Sequence, residues 1–138
     1  MKIIAIDYGT KTCGVALSNS KLGVDSVLPP ISTGVIIPTI NQLIETYDPD
    51  ILLFGFPLTK SGKVGQRARK VIRLVNYLRK IYTSKPLIEM FDERYSTIEA
   101  MEMLKDLPKT KAQKIKDSVS ALIILREYQS SLAKNNIT

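Results

Sequence analysis

The chain opens on two apolar runs split by a short polar turn, IIAIDYGTKTCGVALS over residues 3–18. Ile3, Ile4 and Ile6, then Val15, Ala16 and Leu17, predict strands over 2–7 and 13–18. The Asp-Tyr-Gly-Thr-Lys link is hairpin-like, with Gly9 free to take positive φ. A third extended piece, 27–33, contains Pro29 and Pro30. Two residues that cannot donate to a ladder predict an irregular or edge strand there. From 37 to 47 the positions Ile37, Ile40, Leu43, Ile44 and Tyr47 follow helical spacing, and Asp48-Pro49 stops the helix. ILLFG (51–55) is wholly apolar, as expected of a parallel strand covered on both faces. Residues 56–63, with Pro57 and Gly62, predict a loop.

The longest periodic segment is 64–82, with Val64, Ala68, Ile72, Val75, Leu78 and Tyr82 on one helical stripe. PLIEMFD (86–92) predicts another strand. Ser96-Thr97-Ile98-Glu99 is a capping-box pattern that starts a helix at Ser96, with Ile98, Met101 and Leu104 as its apolar side. Residues 105–116, lysine-rich and holding Pro108, predict a mobile loop. A last helix runs over 117–132 with Ala121, Ile124, Leu125 and Tyr128 inward. The order β-β-β-α-β-α-β-α-α predicts an α/β protein: a mixed five-stranded sheet, three antiparallel strands then parallel ones, flanked by helices. No repeat, low-complexity tract or linker divides the 138 residues, so one domain over 1–138 is expected.

Composition narrows the setting. Hydrophobic residues make up 44% of the chain, a globular value. No apolar run is long enough to span a membrane, and Asp7 interrupts the N-terminal strand too early for a secretory signal. A cytoplasmic protein is expected. Cys13 is the single cysteine, so no internal disulfide can form, and a small buried hydrophobe is its simplest role. There is no histidine. That excludes Ser-His-Asp and Cys-His nucleophilic sites and the usual zinc-ligand sets. Hydrolysis, if any, must run on carboxylates, lysine, tyrosine or a hard metal ion.

Net charge is +7, and it is unevenly spread. Residues 51–88 have no Asp or Glu but nine basic residues: Lys60, Lys63, Arg67, Arg69, Lys70, Arg73, Arg79, Lys80 and Lys85. Such a single-sign block suits a polyanionic partner, although a solvated helix face would look the same.

Three acids sit where a core should not want them. Asp7 ends the first strand, Asp92 ends the last with Glu89 and Glu93 nearby, and Asp117 opens the final helix. If the strands of Asp7 and Asp92 run side by side in one direction, their carboxyl ends meet, where α/β sheets commonly bind ligands. Clustered carboxylates repel, and Mg²⁺, which prefers a few carboxylates plus waters and phosphate oxygens, relieves that repulsion. Two such ions about 4 Å apart can assist phosphodiester hydrolysis without histidine. Each acid also has a structural reading: a turn former at Asp7, an Arg94 partner at Asp92, a helix cap at Asp117. Gly9, Thr10 and Gly14 at turn-forming positions favour a functional Asp7.

Four segments, IDYGTKTCGVALS, LLFGFPLTKSGK, FDERYSTIEAMEML and KIKDSVSALIIL, stand in the order and spacing of the YqgF/RuvX-like family, which the chain resembles over nearly its whole length. Members of that family are described as Holliday junction resolvases and as pre-16S rRNA nucleases. The resemblance implies an RNase H-like fold and metal-dependent phosphodiester hydrolysis. It assigns the catalytic and metal-binding acids to Asp7, Asp92 or Glu93, and Asp117, with Mg²⁺ or Mn²⁺. Lys11, Gly9 and Gly14 fall on its first motif, and Gly55 and Pro57 on its Gly-x-Pro-Leu motif. Thr12 stands where many relatives have Arg, and Thr59 and Ser61 where Asn and Asp are frequent.

The resulting expectation is a nuclease for structured nucleic acid, with rRNA precursor placed ahead of branched DNA. Lys11, Lys60, Lys63, Arg67, Arg69, Lys70, Arg73 and Arg94 are the candidate backbone contacts, and the 105–116 loop is expected to order on substrate. A monomer or weak homodimer is expected, because no exposed apolar stripe demands a dimer. Two rivals are a non-catalytic nucleic-acid-binding module and a phosphotransferase using the Asp-Gly-Thr turn to hold ATP.

Overall fold

The computed structural model describes residues 1–56, 64–92 and 119–132. Among these, β1 (Lys2–Asp7), β2 (Thr12–Asn19), β3 (Val24–Ser32), β4 (Ile51–Phe56) and β5 (Leu87–Asp92) form one sheet in the order β3-β2-β1-β4-β5. The β1–β2 and β2–β3 pairs are antiparallel, whereas β1–β4 and β4–β5 are parallel. The mixed sheet expected from the sequence is therefore present. Its helices are α1 (Ile36–Tyr47), α2 (Gln66–Ile81) and α3 (residues 119–132).

Alternation along the strands builds two apolar layers. Ile4, Ile6, Leu52, Phe54 and Ile88 pack with Ile36 and Ile40 of α1 and with Val71, Leu74, Val75 and Leu78 of α2. On the opposite face Ile3, Ala5, Ala16, Ile51 and Leu53 meet Ala121, Ile124, Leu125 and Tyr128 of α3. Strand β4 contributes to both layers, which explains its unbroken apolar run.

Boundaries follow local chemistry. Helix α1 ends where Asp48 takes the left-handed conformation (φ 49°) and donates its N–H to Ile44 O at 2.8 Å. Strand β3 is an edge strand, and this accommodates Pro29 and Pro30, whose missing N–H groups would break a central ladder. It is longer than the expected 27–33 because Val24, Asp25 and Ser26 also pair with β2. Helix α2 is shorter than 64–82, and its inner stripe is Ala68, Val71, Leu74, Val75 and Leu78. Val64 lies outside it and is 43% exposed. The expected stripe included Val64 and missed Val71 and Leu74, because one line of positions is narrower than the buried face, which takes in two or more neighbouring positions per turn. The helix expected from Ser96 and the loop expected at 105–116 lie outside the described residues. No described helix is long and apolar enough to cross a membrane.

Leu78→Ala removes a fully buried side chain between α2 and the sheet. We expect it to lower unfolding free energy by about 2–5 kcal/mol in urea denaturation. Its exposed neighbour Tyr77, changed to Ala, should stay within about 0.5 kcal/mol of the wild type.

Candidate active site

Because β1, β4 and β5 are parallel, their carboxyl ends share one edge of the sheet. The border between β1 and β4 is also where the winding reverses: β2 and β3 extend the sheet to one side, β4 and β5 to the other. Crevices form at such switch points. Asp7 is the last residue of β1, stands at this border, and is one of the few buried polar residues among those described, 7% exposed. Ile6 pairs with Phe54 and Gly55 with Phe91, so the next row across the sheet reads Asp7, Gly55, Phe91. A glycine in the middle of that row places no side chain between β1 and β5.

The turn after Asp7 is held by specific contacts. Gly9 is required by a close approach and not, as expected from the sequence, by positive φ: a Cβ there would lie 2.1 Å from Thr12 O. Gly9 O accepts from Thr33 Oγ1 at 2.8 Å, and Lys11 O accepts from Thr33 N–H at 2.9 Å. These bonds tie the turn to the end of β3. Gly14 pairs directly across from Asp7, and the β2–β3 register shifts there, between Cys13 and Val15. Two residues of β2 there span three of β3, from Ile31 to Leu28, so the extra residue lies in β3 at Pro29 and Pro30 and β3 is the strand that bends. Cys13 is buried, as a small hydrophobe should be.

Arg67, in the first turn of α2, reaches the same point. Its Nη2 donates to Asp7 Oδ1 at 2.8 Å and its Nε to Tyr8 O at 2.7 Å. The fork-like guanidinium suits two acceptors at once. Asp7's side chain is only 10% exposed, whereas that of Arg67 is 42% exposed. The ion pair is therefore desolvated on the acid's side and open on the arginine's. Tyr8 itself is buried in the α1–α2 layer, and its phenol is pushed above the usual range by burial, with the nearby Cys13 adding to the shift.

Of the other candidate acids, the described one, Asp92, stands apart from Asp7. Asp92 ends β5 and is exposed. By alternation it shares the face of Ile88 and Met90, whereas Asp7 shares that of Ile3 and Ala5. Two strand spacings, about 10 Å, separate β1 from β5. Among the described residues no group of three His, Cys, Asp or Glu side chains could hold a metal ion. Glu93, Asp117, Arg94, Lys60, Lys63 and Pro57 lie outside the described residues. Lys11 is exposed in the turn, and Arg69, Lys70 and Arg73 are exposed on α2.

Three pairings were not read from the sequence. One is Arg67 on Asp7. Another is Arg79, whose Nη2 and Nε donate to Ile88 O at 2.8 and 3.1 Å, fastening α2 to β5. The third is Tyr128 of α3, which donates its hydroxyl to the Glu89 carboxylate and stacks edge-on against Phe91 with centroids 5.8 Å apart. Chain topology was the available signal for the first. A crossover helix after β4 must start at the carboxyl edge, so its first-turn residues come near Asp7.

Sheet order and strand directions define an RNase H-like fold, with a buried acid at the end of the first strand. The family model described as "RuvX: Holliday junction resolvase" matches residues 1–131, and the chain belongs to that family. It is 32% identical over 137 residues to a "Putative pre-16S rRNA nuclease" of Thermoanaerobacter pseudethanolicus, covering 95% of this chain and 97% of that one. A Bacillus subtilis protein of the same name is 32% identical over 139 residues, covering 96% and 99%. Among solved structures, fowlpox virus resolvase with Holliday junction DNA aligns with a TM-score of 0.62 at 13% identity, covering 96% of this chain and 99% of that one. Thermus thermophilus RuvC in complex with a Holliday junction substrate aligns at 0.58 and 13% identity, covering 90% of each chain. At those identities the likeness concerns the fold.

Two outcomes follow from the geometry. Gly9→Ala should lower Tm and disturb the amide signals of Thr12 and Thr33 in NMR, because the added Cβ meets backbone. The Tyr128 phenol is pushed up to about 12, first by burial and then by its bond to Glu89 and the repulsion from that charge. Its neutral form is thus favoured in the folded state. The associated stability is intact below the ordinary tyrosine value of about 10 and is lost as pH rises toward about 12. Tyr128→Phe should make the loss of stability between those pH values shallower in denaturant titrations.

Proposed function

We propose that this chain is a metal-dependent endonuclease, one domain over 1–138, that trims structured RNA in the cytoplasm, with 5′-end maturation of 16S rRNA precursor as its reaction. The observation that carries it is Asp7: a buried carboxylate at the switch point of the sheet, already balanced by a cation. The residues present fit a hard dication. Asp7 offers carboxylate oxygen, Gly55 leaves the row beside it clear, and a chain without histidine favours Mg²⁺ or Mn²⁺ over zinc. Asp7, Glu93 and Asp117 are the proposed ligands. Asp92 ranks behind Glu93 because it shares the face of Ile88 and Met90. A bound dication supplies charge neutralisation and Lewis acidity toward a phosphodiester.

The chain's own residues supply binding. Arg69, Lys70 and Arg73 rise from the first two turns of α2, whose N-terminus lies at the site. Helix α2 has no acid in its first turn, so its positive end and these cations add rather than cancel. Its 16 residues extend about 24 Å away from the acid, with exposed Tyr77 and Lys80 farther along. That ridge suits a nucleic-acid backbone, together with Lys11, Lys60, Lys63 and Arg94. Arg79, committed to Ile88 O, is not part of it.

The name shared by the relatives supports rRNA precursor as the first reading. The family's description favours a second reading, a four-way DNA junction. Side-by-side cleavage of a 5′-extended 16S precursor and a four-way junction, in Mg²⁺ and in Mn²⁺, tests both. Wild type should cut the RNA. Asp7→Asn should lose more than the roughly 10–100-fold typical of a residue behind the metal ligands. Unchanged cleavage by Asp7→Asn would remove the catalytic assignment, and no cleavage of either substrate by wild type would leave a binding module. Arg69→Gln, Lys70→Gln and Arg73→Gln should each weaken RNA binding and flatten its log–log salt dependence by about 0.7–0.9 for each phosphate no longer neutralised.

A further inference from the structure

The proposed metal ligand Asp7 is already engaged by a protein cation. Arg67 Nη2 lies 2.8 Å from Oδ1, and its Nε is anchored on Tyr8 O at 2.7 Å. Arg67 holds one of the two carboxylate oxygens, and a guanidinium and a dication on the same carboxylate repel one another. We propose that Arg67 is a resident counter-ion of Asp7 that a dication must displace, so that Arg67 sets the metal affinity of the site. This rests on the reading of Asp7 as a metal ligand.

The geometry gives the exchange its physical basis. Asp7, with a side chain 10% exposed, requires a cation in either state, since an uncompensated buried carboxylate is costly. Arg67, with a side chain 42% exposed, has a path outward. It precedes Lys70 by three residues on α2, which puts the two on neighbouring positions of one helix face. A released guanidinium therefore joins the basic ridge and is free to take a phosphate oxygen. Metal entry at Asp7 and nucleic-acid capture by α2 are coupled through one side chain, and by linkage each favours the other.

The test is Mn²⁺ binding by the full chain without nucleic acid, measured calorimetrically for wild type, Arg67→Met and Asp7→Asn. Arg67→Met should bind Mn²⁺ about tenfold more tightly than wild type, within the range usual for coupled sites. It should also have a lower Tm without metal and a larger Mn²⁺-induced rise. Asp7→Asn should abolish the binding. If Asp7→Asn abolishes binding but Arg67→Met leaves it unchanged or weaker, the exchange is wrong and the metal site stands. Should Asp7→Asn bind as wild type does, the metal reading falls and the exchange with it. A measurement on the wild type covers the case in which Arg67→Met does not fold. Mg²⁺ should shift the Arg67 Nε–H resonance in ¹⁵N NMR as its bonds to Asp7 and Tyr8 break. An unmoved resonance at saturating Mg²⁺ overturns the exchange.

Discussion

A carboxylate withdrawn from water at the end of the central strand is the constraint around which this protein is arranged. Asp7 is flanked by strands on both sides and nearly covered, so its charge must be answered by the protein or by something the protein binds. Arg67 answers it directly. Around the pair, the Gly9 turn, the Thr33 bonds and the pairing of Gly14 with Asp7 hold the backbone of β1 and β2 in place. These contacts connect the acid to three strands and one helix, so its position is set by the sheet as a whole.

Helix α2 links the fold to the chemistry of the edge. Its inner stripe is fully committed to the core. Its first turn delivers Arg67 to Asp7, and its outer face presents Arg69, Lys70 and Arg73. The crossover from β4 requires the helix to begin at the carboxyl edge, so core packing and site chemistry occupy different faces of one element. Basic residues that look equivalent in the sequence thereby acquire different work. Arg67 compensates an acid, Arg79 holds the backbone of β5, and the outer cations remain open to solvent. On the opposite face Tyr128 answers Glu89 in a similar way, fastening α3 to the edge strand with a hydrogen bond and an aromatic contact. Glu89 therefore lies close to the candidate acids in sequence, yet it is tied to α3 and belongs to the packing of that layer.

Periodicity in the sequence determined the strands, the order of the described elements and the class of fold, because a strand or helix with one buried face must repeat its apolar residues at a fixed spacing. The absence of histidine and the acid-free basic block determined the kind of chemistry open to the chain. Asp7 was legible because a carboxylate after a buried strand, followed by Gly9, is a local pattern. Only the tertiary structure decided what depends on contacts between distant residues: that Arg67 closes on Asp7 across 60 positions, that Gly9 is needed for a close approach, and that Asp92 falls on the other face of the sheet. Sequence spacing carries no information on such pairs. They are fixed by strand register and by where a crossover helix begins, and both arise from packing the whole sheet.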